Sequence, residues 1–179
     1  MLKKAILFLL ISLLHFGAFA QTLQPSDTDS KITFVIKNMG LSVDGSFKEL
    51  AGKMVFDPKN LSNSIFDVTV AANTINTGIA KRDEHLKKEE FFGAEKHPVI
   101  SIKTTKIQAK KNNLYFTTAV LTIKGVSKNI QFDFIAKPIT SGYHFTGGFT
   151  INRKDFGVGG NSMTMGDEVK VSLDVLGKK

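Results

Sequence analysis

Lys31 to Lys37 alternates in polarity, with Ile32, Phe34 and Ile36 on one face and Lys31, Thr33 and Lys37 on the other. A period of two marks a half-buried strand. The same alternation returns in Leu50 to Phe56, where Asp57-Pro58 stops it. It continues over 63–73, with Phe66, Val68 and Val70 on one side, and over 99–107, 114–123, 129–136 and 143–152. The last run, 168–176, puts Val169, Val171, Leu173 and Val175 on one face. Turn chemistry separates the runs: Lys110-Lys111-Asn112-Asn113 at one junction, and Lys124 to Lys128 at another, where Gly125 supplies a positive φ. Residues 21–30 are polar with one proline and read as a flexible N-terminal segment ahead of a domain spanning 31–177.

One segment breaks this rhythm. Ile75 to Ile100 reads as a helical insert, with Thr77 as N-cap and Gly78 and Ile79 entering the helix. Ala80 to Glu90 carries nine charged or histidine side chains, so most of its circumference is solvated. Ile79, Leu86, Phe91 and Phe92 are the apolar positions that can hold it to the rest of the molecule. Glu84 and Lys88 are spaced as an i,i+4 ion pair, worth a few tenths of about 1 kcal/mol. Such an insert is a lid over one end of the sheet or a plain cap.

About eight strands with short connections predict an all-β fold, a closed antiparallel barrel with a short helical insert. A two-sheet sandwich is the alternative. At about eight strands a barrel either holds one small ligand or is filled by its own side chains. An outer-membrane barrel needs aromatic girdles. This chain has no tryptophan and two tyrosines, so its apolar faces are expected to point inward.

The first 20 residues change the compartment. Lys3 and Lys4 precede the apolar run Ala5 to Leu14, and Ala18-Phe19-Ala20 ends it with small residues where a signal peptidase reads. Residues 1–20 are thus expected to be a signal peptide cleaved after Ala20, placing the protein in the periplasm. A retained anchor is the alternative, although the run is short for a membrane span. The chain has no cysteine, which excludes disulfides, thiol chemistry and lipoprotein anchoring. Its formal charge is +8, with the lysines dispersed rather than interleaved with aromatics, so no nucleic-acid partner is expected. Transient contact with a membrane surface is compatible with that charge.

Catalytic patterns do not emerge. His85, His97 and His144 lack metal-site spacing, and there is no nucleophile elbow or phosphate-cradling glycine loop. No enzyme activity, metal or reactive cofactor is expected.

Four segments, in order, carry a resemblance. They are Phe34, Gly40, Gly45, Phe47, Gly52 and Phe56; then Thr77-Gly78, Arg82-Asp83, His85-Leu86, Phe91-Phe92 and Pro98; then Leu121 to Lys128; then Arg153-Lys154-Asp155-Phe156-Gly157 with Asp167-Glu168-Val169. Together they resemble the YceI-like family of periplasmic lipid- and polyisoprenoid-binding proteins. The resemblance implies a lipocalin-like barrel around a long hydrophobic pocket. It implies a polyisoprenoid, quinone-like or fatty acyl ligand, bound without chemistry. The apolar tunnel is then expected from Phe34, Ile36, Phe66, Val68, Phe91, Phe92, Leu121, Phe132, Phe149 and Val171. A polar mouth is expected from Asn38, Arg82, His85 and Arg153. Many members of that family carry a histidine where this chain has Asn38, which cannot take a proton. The competing reading is a stress-linked periplasmic interaction protein with a filled barrel and no stored ligand. Whether the protein is a monomer or a homodimer does not follow from these residues.

Overall fold

A computed structural model describes residues 21–179; the expected signal peptide lies outside them. Ten strands form one antiparallel sheet: β1 Gln21–Pro25, β2 Lys31–Asn38, β3 Leu41–Phe47, β4 Ala51–Phe56, β5 Ile65–Ala71, β6 Val99–Ala109, β7 Leu114–Ile123, β8 Val126–Ile139, β9 Gly142–Asn152 and β10 Met165–Lys178. The order around the sheet is β1-β4-β5-β6-β7-β8-β9-β10, and β1 pairs back onto β10 through Gln24–Lys178 and Pro25–Gly177. That ring closes an eight-stranded barrel. β2 and β3 extend it as a hairpin laid on the remaining length of β10, from Met165 to Asp174.

The polarity pattern explains the wall. In β7 every second residue is buried, from Tyr115 through Thr117, Ala119 and Leu121 to Ile123. In β10 the outward row is Glu168, Lys170, Ser172 and Asp174, all exposed, while Val169, Val171, Leu173 and Val175 face inward. A charged outer row is the opposite of a lipid-facing band. One irregularity is repaired by a side chain. β6 bulges between Thr104 and Lys106, and the buried Thr104 hydroxyl accepts the Phe66 N–H at 2.8 Å.

Three expectations are corrected. Residues 21–25 are not flexible: they form β1, and Leu23 is wholly buried between β4 and β10. The loop read over 124–128 is only Lys124-Gly125, a two-residue turn with both φ positive, and β8 starts at Val126. The helix is shorter than Ala80 to Glu90. α1 spans Ala80–Leu86, and turns carry the chain on to β6.

The interior divides into two clusters. At the end holding the chain terminus of β10 and the 110–113 turn, Phe56 sits among Phe66, Tyr115, Phe134, Tyr143 and Phe145, with centroids 5.0 to 6.4 Å away. At the opposite end, Leu121, Ile123, Phe156 and Val158 pack with Phe91, Phe92 and Phe149. The insert, the Lys124-Gly125 turn and the 153–164 segment gather at that second end.

Candidate ligand-binding site

Between these clusters lies an apolar cavity of about 240 Å³. That exceeds the ~150 Å³ apolar cavity that stays dry and takes up benzene in a well-studied engineered protein. The aromatic cluster around Phe56 forms its floor, through Phe66, Phe134 and Phe145. Its walls come from the inward rows of β2, β5, β6, β7, β9 and β10, as the alternation requires.

All ten residues expected for the tunnel line this cavity: Phe34, Ile36, Phe66, Val68, Phe91, Phe92, Leu121, Phe132, Phe149 and Val171. Phe34, Phe47 and Phe92 form a continuous aromatic wall, with centroids 5.6 and 5.5 Å apart, joining the β2–β3 hairpin to the insert. Phe132 on β8 and Phe149 on β9 pack together at 5.1 Å, and Val171 of β10 separates Phe149 from Phe34. β3 contributes Val43 and Phe47, which strand alternation alone does not pick out, because Gly45 falls between them. Gly45 pairs with Phe34 across the hairpin, and the Phe34 ring lies over it; a Cβ there would collide with that ring. The glycine is thus the seat of a cavity-wall aromatic, a role visible only once the register is known.

The polar mouth assembles beside α1. Asn38, Val43, Thr77 and Arg82 line both the cavity and an outer recess between the β2–β3 hairpin and the insert. β3 has a ladder partner on one side only, apart from a bridge between Ser46 and Asn76, so the wall is open here. Thr77 is not a helix cap: Ile79 holds that position and makes no side-chain cap bond. Instead Thr77 N–H and Oγ1 both donate to Asp83, while Thr77 Oγ1 and carbonyl accept from Arg82 Nε and Nη2 at 2.7 Å each. This clamp fixes Arg82 at the mouth and leaves its Nη1 without a protein partner among the described residues. It also supplies the physical reason for Thr77, Arg82 and Asp83 occurring together.

Two of the four expected mouth residues have other work. His85 does not line the cavity; its ring packs on Phe91 at 4.9 Å and faces Glu90 at 3.4 Å. Arg153 reaches the cavity lining but is 3% exposed, and all five of its N–H groups are donated internally. They bond the carbonyls of Val158, Gly160, Met165 and Gly166 and the Asp167 carboxylate. Arg153 therefore braces the 153–164 segment over Phe156 and has no donor left for a ligand. Asn38 and Arg82 remain.

The insert is held by three of the four apolar positions expected, Leu86, Phe91 and Phe92. Ile79 is 53% exposed and anchors nothing. Leu86, Phe91 and Phe92 face the cavity, and Gly159 N–H donates to the Glu90 carbonyl at 2.8 Å. Glu84 pairs with Lys87 at 2.7 Å, an i,i+3 contact, rather than with Lys88. Among the described residues no group of three or more His, Asp or Glu is placed to hold a metal ion.

Known proteins share this architecture. A YceI-like domain matches residues 22–176. A UPF0312 protein of Pectobacterium carotovorum is 35% identical over 155 residues, covering 82% of this chain and 79% of that protein. A UPF0312 protein of Pseudomonas aeruginosa is 32% identical over 155 residues, covering 82% and 80%. Among solved structures, the YceI protein of Campylobacter jejuni superposes with a TM-score of 0.68 at 28% identity, covering 76% of this chain and 85% of that one. Burkholderia cenocepacia BcnA shares the fold at TM-score 0.80 and 22% identity, covering 84% and 98%. So does a polyisoprenoid-binding domain from Saccharophagus degradans, at TM-score 0.71 and 15% identity, covering 89% and 98%. With the domain match spanning nearly all of the described barrel, the chain belongs to the YceI-like family.

Proposed function

We propose that this protein is a periplasmic carrier that holds a long apolar molecule, a polyisoprenoid, quinone-like compound or other lipid, and performs no chemistry on it. The observation that carries the proposal is the polarity of the cavity. Its surface is overwhelmingly aliphatic and aromatic, and the polar residues it shares with the outer recess are Asn38, Thr77 and Arg82. A pocket of that kind binds by apolar area and orients by a few polar atoms at one end. The chain would run down the cavity toward the aromatic floor, with the polar end at the free Nη1 of Arg82 and the Asn38 amide.

Reversibility follows from the reference state. Burying alkyl groups from water is worth about 0.8 kcal/mol per methylene, which for a long chain exceeds the practical affinity ceiling of about 20 kcal/mol. Taken from a bilayer into an apolar pocket, the same chain changes environment little, so the protein can load and release. Export after cleavage at Ala20 would place it between two such bilayers.

Native mass spectrometry of the protein purified from its own envelope, followed by lipid extraction, tests the proposal. A bound mass released as a prenyl or quinone-like species is expected. Phe132→Asp, which sets a charge beside Phe149 on the cavity wall, should abolish uptake in a protein that remains folded. A clean apo mass together with no uptake of added prenols would favour the surface-interaction reading instead.

A further inference from the structure

We propose that the rim around the mouth docks onto an anionic lipid bilayer, so that the cavity loads directly from membrane. This rests on the carrier reading above and names where its ligand changes hands. The observation is the distribution of exposed apolar side chains. Among the described residues the four most exposed are Met163 at 104%, Met39 at 76%, Leu41 at 73% and Ile79 at 53%, with Val99 next at 48%. All four surround the same opening. Met39 and Leu41 border the outer recess, and Ile79 stands two residues beyond Thr77. Met163 is carried by the segment whose Thr164 carbonyl accepts the Met39 N–H at 2.8 Å. At the barrel's filled end the exposed large apolar residues are Ile65 and Ile139, each at 37%.

Their setting fits a membrane better than a protein partner. Met39 and Gly40 form the two central residues of a tight turn, with φ of 52° and 78°, so Met39 is displayed on a rigid tip. Met163 is on a separate loop and Ile79 precedes the first turn of α1. These are individual apolar projections from three elements rather than one flat face, an arrangement that inserts between head groups without requiring a matched surface. Exposed Lys37, whose Nζ donates to Ser42, and exposed Lys81 flank the projections. Basic residues beside a membrane-inserting apolar patch draw it to anionic lipid. The formal charge of +8, two units of which belong to Lys3 and Lys4, acts in the same direction over longer range. Continuity supplies the last argument: the rim encloses the opening through which a bilayer-soluble ligand has to pass.

The test is flotation of protein recovered after export of the full chain, its N-terminus read by mass spectrometry, with vesicles of phosphatidylcholine and phosphatidylglycerol. The combined variant Met39→Ser, Leu41→Ser, Met163→Ser should float at about one tenth of the wild-type level or less. Ile139→Ser, at the filled end, should float like wild type. In parallel, a prenol is offered either in detergent micelles or in the vesicles. The triple variant should take it up from micelles and lose uptake from vesicles, because none of the three residues lines the cavity. Equal flotation of variant and wild type, or no flotation of wild type, overturns the docking proposal, and a wild type that loads from vesicles without binding them points to a protein partner at the rim. A wild type that floats but takes up prenol from neither source sinks the carrier reading and leaves the docking result standing.

Discussion

The two ends of this barrel share long strands, with β1 and β4 completing one end and the β2–β3 hairpin the other, and they do opposite things. At the filled end, Phe56 is 1% exposed and meets five aromatic rings, all within 6.4 Å. At the open end, Phe34, Phe132 and Phe149 are only half-buried and stand around a cavity of about 240 Å³. Both use phenylalanine, whose large apolar area needs no polar partner. The difference is the opposing side chain. β4 fills the floor with Met54 and Phe56, whereas on β3 the position between Val43 and Phe47 is Gly45, which offers no side chain. One end stores stability, and the other leaves apolar area available for a ligand.

Truncation separates the two ends most sharply. Phe56→Ala removes a ring from a close-packed cluster and should cost about 3–5 kcal/mol, read as a fall in the urea midpoint. Ligand uptake by the fraction still folded should persist. Phe132→Asp is the mirror case: uptake is lost while the cluster around Phe56, which Phe132 only borders, keeps the protein folded. A denaturation midpoint falling further for Phe132→Asp than for Phe56→Ala would break the division of labour.

Two glycines refine it. A Cβ at Gly52 would strike the Asp67 carbonyl and the Val68 backbone across β4–β5, and its φ is +121°. Gly52→Ala therefore asks two strands to part, and should destabilise the barrel by about 2 kcal/mol or more. At Gly45 the obstacle is only the Phe34 ring, and the backbone does not need a positive φ. Gly45→Ala should leave stability nearly intact and turn the ring into the cavity, narrowing the range of ligands accepted. Uptake measured with prenols of increasing length shows this as a lowered upper limit.

These glycines also mark what alternation could and could not reveal. Strands β2 and β4 to β10 stand out because they keep period two, and eight of the ten tunnel positions lie on their inward rows, while Phe91 and Phe92 belong to the insert. β3 does not stand out: Gly45 interrupts the apolar row between Val43 and Phe47, where it seats the Phe34 ring. β1 escapes for a similar reason. It has five residues and one apolar inward position, Leu23, and only closure against Gly177 and Met54 makes it a strand. The mouth was half legible. Arg82 and Arg153 look alike in sequence, but only the fold shows that Thr77 holds one at the opening and that four carbonyls consume the other.

The insert packs over the open end, and a change there should move uptake rates more than stability. Leu86 faces the cavity from the last turn of α1 and is half-buried. Leu86→Ala should loosen the insert and speed exchange of a bound fluorescent prenol several-fold, with a destabilisation of about 1 kcal/mol. Exchange at the wild-type rate would make the insert a cap that plays no part in gating.

The smallest effect distinguishes the ends by pH. Tyr115 belongs to the filled end, stacked on Phe134 at 5.3 Å, and burial, with Tyr143 nearby as a smaller contribution, raises its pKa above the usual 10.0. The unfolded chain releases that proton more readily than the folded one. Stability from this group is therefore complete below about pH 10 and is lost as pH rises through the folded value. Among the described residues, no lysine, histidine, tyrosine or carboxylate lines the cavity at the open end. Raising the pH from about 8 to about 11 should thus lower the Tm while prenol affinity of the folded protein stays flat. Tyr115→Phe should make the fall in Tm shallower, because the residue that resists ionisation is gone. An unchanged slope in that variant would move the alkaline sensitivity away from the filled end and remove pH as a way to tell the two ends apart.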